Sequence, residues 1–127
     1  QFTAYPEGSP NHGSFPAMHS SGSTCSMWLP IIFDLTPEQL YNTKVVDYAV
    51  AQARSAAGVH YAMDNIAGLA VGQDMIAKLL PHYLEERYGS DPEYVKRKIE
   101  KYRFSWYKFH KEVEESREYY AMAALEE

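Results

Sequence analysis

Three polar residues in one short stretch of the chain have the types and spacing for chemistry on an oxyanion. Arg54, His60 and Asp64 follow the pattern Arg-x5-His-x3-Asp. On a helix, His60 and Asp64 would share a face, because residues four apart are neighbours there. The Asp64 carboxylate would then hold the Nδ1 proton of His60 and leave Nε2 exposed. The guanidinium of Arg54 adds a permanent planar cation, which suits an anion with several oxygens.

The residues around this trio predict that it faces an interior. Small and apolar side chains flank the three polar ones: Ala51, Ala53, Ala56, Ala57, Val59, Ala62 and Met63. Buried charges need partners or ligands. We therefore favour a functional site here, and a solvated or merely structural ion pair is the alternative.

A second histidine, His19, lies upstream in a loop rich in proline, glycine and serine. It follows Pro16 at a predicted helix start, where backbone N–H groups face a bound anion. A lone histidine in a loop is more often a surface residue, but with the downstream trio His19 becomes a candidate acid/base. His12 lies in the same loop and would on its own be an exposed residue.

The periodicity of apolar residues predicts an all-α fold, and no β-strand pattern stands out. A turn-rich loop covers 1–19, and a buried helix interrupted near Pro30 follows over 20–33. A capping box, Thr36-Pro37-Glu38-Gln39, starts a helix. A helix over 43–57 is predicted to bury one face, formed by Val46, Val50, Ala53 and Ala57.

The second half of the chain is predicted to be helical as well. Gly58 breaks the chain before a largely buried helix over 59–80, which restarts or kinks at Pro81 and ends near Gly89. Residues 90–127 are predicted as one long amphipathic helix, which packs on the domain in preference to a partner. Its seam consists of Val95, Ile99, Tyr102, Trp106, Phe109, Val113 and Tyr120.

Composition narrows the class of protein. The chain has 127 residues, of which 46% are hydrophobic, enough for one domain or for half of a larger one. A net charge of −5 gives no basic surface for nucleic acid. Cys25 is the single cysteine, so no internal disulfide forms, and no apolar run approaches the length of a membrane span. We expect a soluble chain, whether secreted, at the cell surface or elsewhere.

The Arg-x5-His-x3-Asp element, preceded by Pro16-x-x-His19, resembles the superfamily of vanadium haloperoxidases and type 2 acid phosphatases. The run AYPEGSPNHGSFPAMH over 4–19 is similar to the Glu-Gly-Ser-Pro-x-His-x-x-Tyr-Pro-Ser/Ala-Gly-His run of the bromoperoxidase branch, with Phe15 at the Tyr place. The resemblance covers residues 4–75. It implies a helical bundle of the haloperoxidase and type 2 phosphatase kind. We expect 1–89 to be the C-terminal part of its catalytic domain.

The resemblance also implies a cofactor, vanadate, and a role for each motif residue. His60 would be the residue bonded to vanadium, or the nucleophile of a phosphatase. Arg54 would bind the equatorial oxygens, and Asp64 would orient His60. His19 would be the acid/base for the apical oxygen and peroxide. His12 would match the second histidine that distinguishes bromoperoxidases from chloroperoxidases.

The sequence departs from the family pattern at two places that bear on the binding of vanadate. Ala17 and Met18 take the Ser-Gly place in the cofactor-binding loop, where Ala17 lacks a hydroxyl and Met18 adds bulk but keeps its backbone N–H. The family's Lys-x6-Arg-Pro element is not found upstream of the site. We therefore expect its cations from an N-terminal portion before Gln1 or from another chain, and the resemblance favours a homo-oligomer.

The sequence thus predicts a vanadium-dependent haloperoxidase that oxidises bromide or iodide with hydrogen peroxide. One alternative is a soluble phosphatase of the same superfamily, which binds phosphate and acts through a phosphohistidine. His12 favours the peroxidase over the phosphatase. A third interpretation is a non-catalytic, haloperoxidase-like structural subunit, which the altered Pro16-Ala17-Met18-His19 loop would suit.

Overall fold

A computed structural model describes the backbone of residues 11–123 and the side chains of residues 11–117. This part of the chain is all-helical, which confirms the predicted fold class. Its helices are α1 (Met18–Gly22), α2 (Cys25–Ile32), α3 (Pro37–Ala56), α4 (Ala62–Tyr88), α5 (Pro92–Tyr102) and α6 (Trp106–Ala123). None of the described helices combines the length and apolar character that crossing a bilayer requires.

The first helical segment is divided, whereas the sequence predicted one helix over 20–33. A carboxylate from α3 causes the division, because Asp47 caps the start of α2. Its oxygens accept hydrogen bonds from the Ser23 hydroxyl at 2.7 Å, the Cys25 N–H at 3.0 Å, and the N–H and hydroxyl of Ser26 at 2.9 and 2.6 Å. Pro30 lies inside α2 and does not interrupt it.

Helix α3 begins at the predicted capping box and runs without a break to Ala56. The Gln39 N–H donates to Thr36 Oγ1 at 3.2 Å, and the Thr36 N–H donates to Gln39 Oε1 at 2.9 Å. Pro37 occupies the first turn, where its missing N–H is not needed. The helix therefore starts before the predicted span of 43–57.

The predicted buried face of α3 is wrong. Val46 and Val50 are 51% and 37% exposed, and Ala53 is exposed as well. The buried residues of α3 are Asp47, Tyr48 and Ala51. The need to present Asp47 to the start of α2 and Tyr48 to the core fixes the rotation of the helix. This requirement comes from other elements, so the periodicity of α3 alone does not reveal it.

Helix α4 is the longest element and is continuous through Pro81, which the sequence predicted as a restart or kink. It ends at Gly89 in the left-handed conformation, as predicted. Leu80 and Pro81 are buried, and Leu80 packs in a cluster with α2 and α5. Three residues predicted to be buried on this helix are instead half exposed or more: Met63, Met75 and Leu79.

The tail, predicted as one long helix over 90–127, contains two helices separated by 103–105. Ser105 caps α6, because its hydroxyl accepts from the Lys108 N–H at 3.4 Å and its carbonyl accepts from the Phe109 N–H at 3.1 Å. The break turns α6 towards a different part of the molecule. Residues 124–127 and the side chain of Tyr120 lie outside the described part of the tail.

Two apolar clusters hold the helices together, and the tail contributes to both. Val95 and Ile99 of α5 pack with Met27, Ile31 and Leu80. Trp106 and Phe109 of α6 belong to the other cluster, whose further members are Tyr48, Ala51, Ile66 and Leu69. The prediction that the tail packs on its own domain is therefore confirmed for these seam positions.

Candidate active site

A tight turn between α3 and α4 connects Arg54 to His60 and Asp64. Arg54 lies in the last turn of α3, and Gly58 has a φ of 75°, which glycine adopts without steric cost. The Gly58 N–H donates to the Ser55 carbonyl at 2.9 Å, and the Val59 N–H donates to the Arg54 carbonyl at 3.2 Å. This turn connects the two helices, and His60 lies between it and the start of α4. The predicted break at Gly58 is confirmed.

His60 lies just before α4, not within it, and this changes its relation to Asp64. The side chain of His60 is only 3% exposed, and its Nδ1 is 3.6 Å from Asp64 Oδ2. That distance suits an ion pair but exceeds a hydrogen bond. Asp64 Oδ2 instead accepts from the Tyr61 N–H at 2.9 Å, which caps α4. The expected His60–Asp64 hydrogen bond is thus absent from the structure.

The Nδ1 atom of His60 is buried and has no hydrogen-bond partner among the described residues. Buried polar atoms are nearly always satisfied, so such an atom marks either an unusual cost or a position completed by another group. The carboxylate oxygen Asp64 Oδ2 lies 3.6 Å from this atom. The turn therefore holds the imidazole ring in a nearly closed environment.

The loop that carries His19 is attached directly to the start of α4. The Ala17 N–H donates to the Asp64 carbonyl at 3.0 Å, and Ala17 is fully buried. Two glycines allow this approach. A Cβ at Gly68 would lie 2.3 Å from the Ala17 carbonyl oxygen, and one at Gly72 would lie 2.4 Å from the Ser21 carbonyl oxygen. Helix α1 therefore packs on α4 with backbone against backbone.

The remaining predicted site residues lie at the surface. His19 is exposed at the start of α1, and Met18 beside it is 65% exposed. His12 is exposed too, with its Nδ1 2.8 Å from the Gly13 carbonyl oxygen. The structure thus joins the His19 loop to the His60 segment through Ala17, while His12 makes its described hydrogen bond within its own loop. The Glu-Gly-Ser-Pro part of the motif falls outside the described residues.

Sequence reasoning missed a buried polar connection among these segments. Ser20 Oγ donates to Asn65 Oδ1 at 3.3 Å, and Asn65 Nδ2 donates to Ser55 Oγ at 2.8 Å. The sequence did hold a signal, since a polar Asn65 directly follows Asp64 and precedes the apolar Ile66. A similar signal marks Asp47, which lies between valine and tyrosine and is fully buried.

No protein-family model matches this chain, and no curated protein or solved structure is significantly similar to it. An imidazole N–H and a guanidinium are donors, and both bind oxyanions readily. In this segment the residues that could hold an oxyanion are Arg54, half-buried at the end of α3, and His60, whose Nδ1 lies 3.6 Å from the Asp64 carboxylate.

Proposed function

We propose that this chain carries the oxyanion-binding part of a vanadium-dependent haloperoxidase, with vanadate as cofactor and with bromide or iodide and hydrogen peroxide as substrates. The observation that supports this most directly is the 3.0 Å hydrogen bond from the Ala17 N–H to the Asp64 carbonyl. It joins the Pro16-x-x-His19 loop to the Arg-x5-His-x3-Asp segment, although the two are far apart in sequence. These are the two motifs on which the resemblance depends.

Each residue has a distinct task in this proposal. His60 would hold the vanadium through a ring nitrogen, and Arg54 would bind the oxygens of the anion. Asp64, whose Oδ2 is 3.6 Å from Nδ1, would orient the His60 ring. The His60 side chain is only 3% exposed, so water has little access to the ring. When bound, vanadate supplies a Lewis-acid centre that activates peroxide towards halide.

The role of His19 as the acid/base comes from the motif resemblance, which requires its ring to approach that of His60; in the structure His19 is exposed and His60 is buried. His19 lies at the surface, where peroxide and water reach it, on a helix start that Ala17 anchors to α4. In the proposal its imidazole takes a proton from the incoming peroxide and returns one to the departing oxygen. In the proposal, Arg54 offsets part of the charge of the oxyanion.

Vanadate binding tests the role of His60. We expect vanadate to raise the melting temperature of the unaltered chain, because a ligand of the folded state stabilises it. His60→Ala should abolish both this rise and the retention of vanadate in equilibrium dialysis. His82→Ala is a matched control, since His82 is 72% exposed on α4, and it should bind as the unaltered chain does. Equal binding by the His60 variant would contradict the assignment.

Turnover tests the role of His19. His19→Ala should retain vanadate but lower the bromination of a phenol-red-type dye by at least about a hundredfold, the usual contribution of a general acid/base. The assay contains added vanadate, peroxide and bromide, and its control omits vanadate. Undiminished bromination by the variant would remove His19 from the reaction.

The same measurements distinguish the two alternatives. Hydrolysis of a phosphate ester without halide oxidation would favour a phosphatase in which His60 attacks phosphorus and His19 protonates the leaving alcohol. Neither reaction, together with an unchanged melting temperature in vanadate, would favour a structural subunit without catalysis.

A further inference from the structure

Three segments of the candidate site meet at one buried side chain, Asn65. Its amide is 1% exposed, and both of its polar ends are used. The oxygen accepts from the fully buried Ser20 hydroxyl at 3.3 Å, and the nitrogen donates to the Ser55 hydroxyl at 2.8 Å. The three residues form a chain of hydrogen bonds that crosses from α1 through α4 to α3.

Each member of this chain is the next residue after a predicted site residue. Ser20 follows His19, Ser55 follows Arg54, and Asn65 follows Asp64. If either hydrogen bond is lost, the backbone next to a predicted site residue loses one of its fixed contacts. Because an amide has a fixed distance between its donor and its acceptor, Asn65 sets the spacing between α1 and the end of α3.

We propose that Asn65 is a positioning residue that fixes the His19 and Arg54 segments relative to the first turn of α4. The inference that Asn65 serves a vanadate site rests on the proposed function. The two hydrogen bonds of Asn65 do not depend on that function. The role requires both ends of the amide. Leucine, of similar size, would leave the Ser20 and Ser55 hydroxyls without Asn65 as their partner in a region largely closed to water.

Amide hydrogen exchange tests the positioning role whether or not the chain binds vanadate. The Ala17 N–H, bonded to the Asp64 carbonyl, reports on the contact between the His19 loop and α4. In Asn65→Leu, we expect its exchange to accelerate about tenfold or more relative to the N–H of Ile99, which lies in α5. The ratio removes any change in global stability. An unchanged ratio would overturn the inference.

Vanadate affinity tests the functional consequence. We expect Asn65→Leu to raise the dissociation constant of vanadate by about tenfold or more, as the loss of an orienting residue typically does. Ser20→Ala and Ser55→Ala each remove one link and provide milder variants if the leucine variant folds poorly. A merely structural role would lower the melting temperature and leave the dissociation constant unchanged.

Gln73→Leu is the matched control. Gln73 is a second buried amide on α4, 6% exposed, and its Nε2 has no hydrogen-bond partner within the described residues. This variant should change the dissociation constant less than about twofold. If the unaltered chain binds vanadate and Asn65→Leu binds it equally well, Asn65 does not position the site. If the unaltered chain binds none, the proposed function fails, and the Ala17 exchange ratio still decides the positioning role.

Discussion

At the scale of single residues, the buried carboxylate of Asp47 accepts more hydrogen bonds than any other side chain in the described part of the chain. An ionised carboxylate is removed from water only when hydrogen bonds replace its hydration. Here two backbone N–H groups at the start of α2 and two serine hydroxyls provide them. The N-terminal end of a helix also favours negative charge. Asp47 thus ties α2 and the end of α1 to α3.

Removing this carboxylate should destabilise the fold strongly. Asp47→Ala leaves the donors of Ser23, Cys25 and Ser26 without their acceptor, and we expect the free energy of unfolding to fall by about 3 kcal/mol or more. Denaturant titration measures the change. Asp34→Ala is the control, because Asp34 is fully exposed and its pair with Lys98 spans 3.9 Å. A surface pair of this kind contributes about 1 kcal/mol at most.

The same carboxylate affects the chemistry of Cys25. Burial raises the pKa of the Cys25 thiol, and the negative charge of Asp47 and its hydrogen bond raise it further. A raised pKa means less thiolate at a given pH, so alkylation by iodoacetamide should be slower than in the unfolded chain. In Asp47→Asn the charge is absent, and the rate profile should move to lower pH. An identical profile in both proteins would contradict this cause.

Local chemistry in the sequence predicted some of these residues and not others. The turn at Gly58 and the Thr36 capping box depend only on residues close to them in sequence, so both can be predicted from the sequence alone. The pairing of His60 with Asp64 was predicted as a hydrogen bond within a helix. In the structure the helix starts later, and the Tyr61 N–H takes the carboxylate oxygen instead.

At the scale of elements, the contact between α1 and α4 determines where His19 lies. The contact depends on Gly68 and Gly72, whose missing side chains allow the carbonyls of Ala17 and Ser21 to approach α4. The sequence shows that these positions are glycine. It does not show which backbone approaches, since that depends on how α1 and α2 are divided.

Adding one methyl group at this contact should separate the two helices. In Gly68→Ala the Cβ would lie 2.3 Å from the Ala17 carbonyl oxygen and 2.9 Å from Ser20 Cβ. Backbone cannot yield as a flexible side chain does, so we expect a loss of about 2 kcal/mol or more in the free energy of unfolding. Vanadate binding should weaken as well.

Gly22→Ala is the control for this substitution. Gly22 belongs to α1 itself, and a Cβ there would meet nothing within 4 Å. The variant should unfold with nearly unchanged free energy in the same denaturant titration. Equal effects of the two alanines would show that the contact of α1 with α4 is not the cause.

At the scale of the whole molecule, the break between α5 and α6 lets one tail serve two clusters. A single straight helix over 90–127 would follow one line across the surface. Instead, Ser105 starts a new helix, and Phe104 packs edge-to-face against Trp106 with ring centroids 4.6 Å apart. The seam residues were predictable from their spacing, but the change of direction depends on two separate clusters that only the folded molecule contains.

Trp106 should be the most sensitive position of the tail. It is 4% exposed in the cluster that joins α3, α4 and α6. Trp106→Ala should lower the free energy of unfolding by about 3–5 kcal/mol, the usual cost of a buried tryptophan. Tyr107→Ala, at a neighbouring residue that is 57% exposed, should cost about 0.5 kcal/mol or less. Similar losses for both would contradict the packing of α6 on the core.

The absence of side chains at Gly68 and Gly72, where α1 packs on α4, also has an evolutionary consequence. A larger residue at either glycine would push the backbone of α1 away from α4. A substitution at the exposed valines of α3 would not disturb any backbone contact of this kind. We expect proteins that descend from the same ancestor to retain the smallest residue at both places even where most of their exterior has diverged. A pair of glycines four residues apart, downstream of a histidine and an aspartate, would then identify distant homologues.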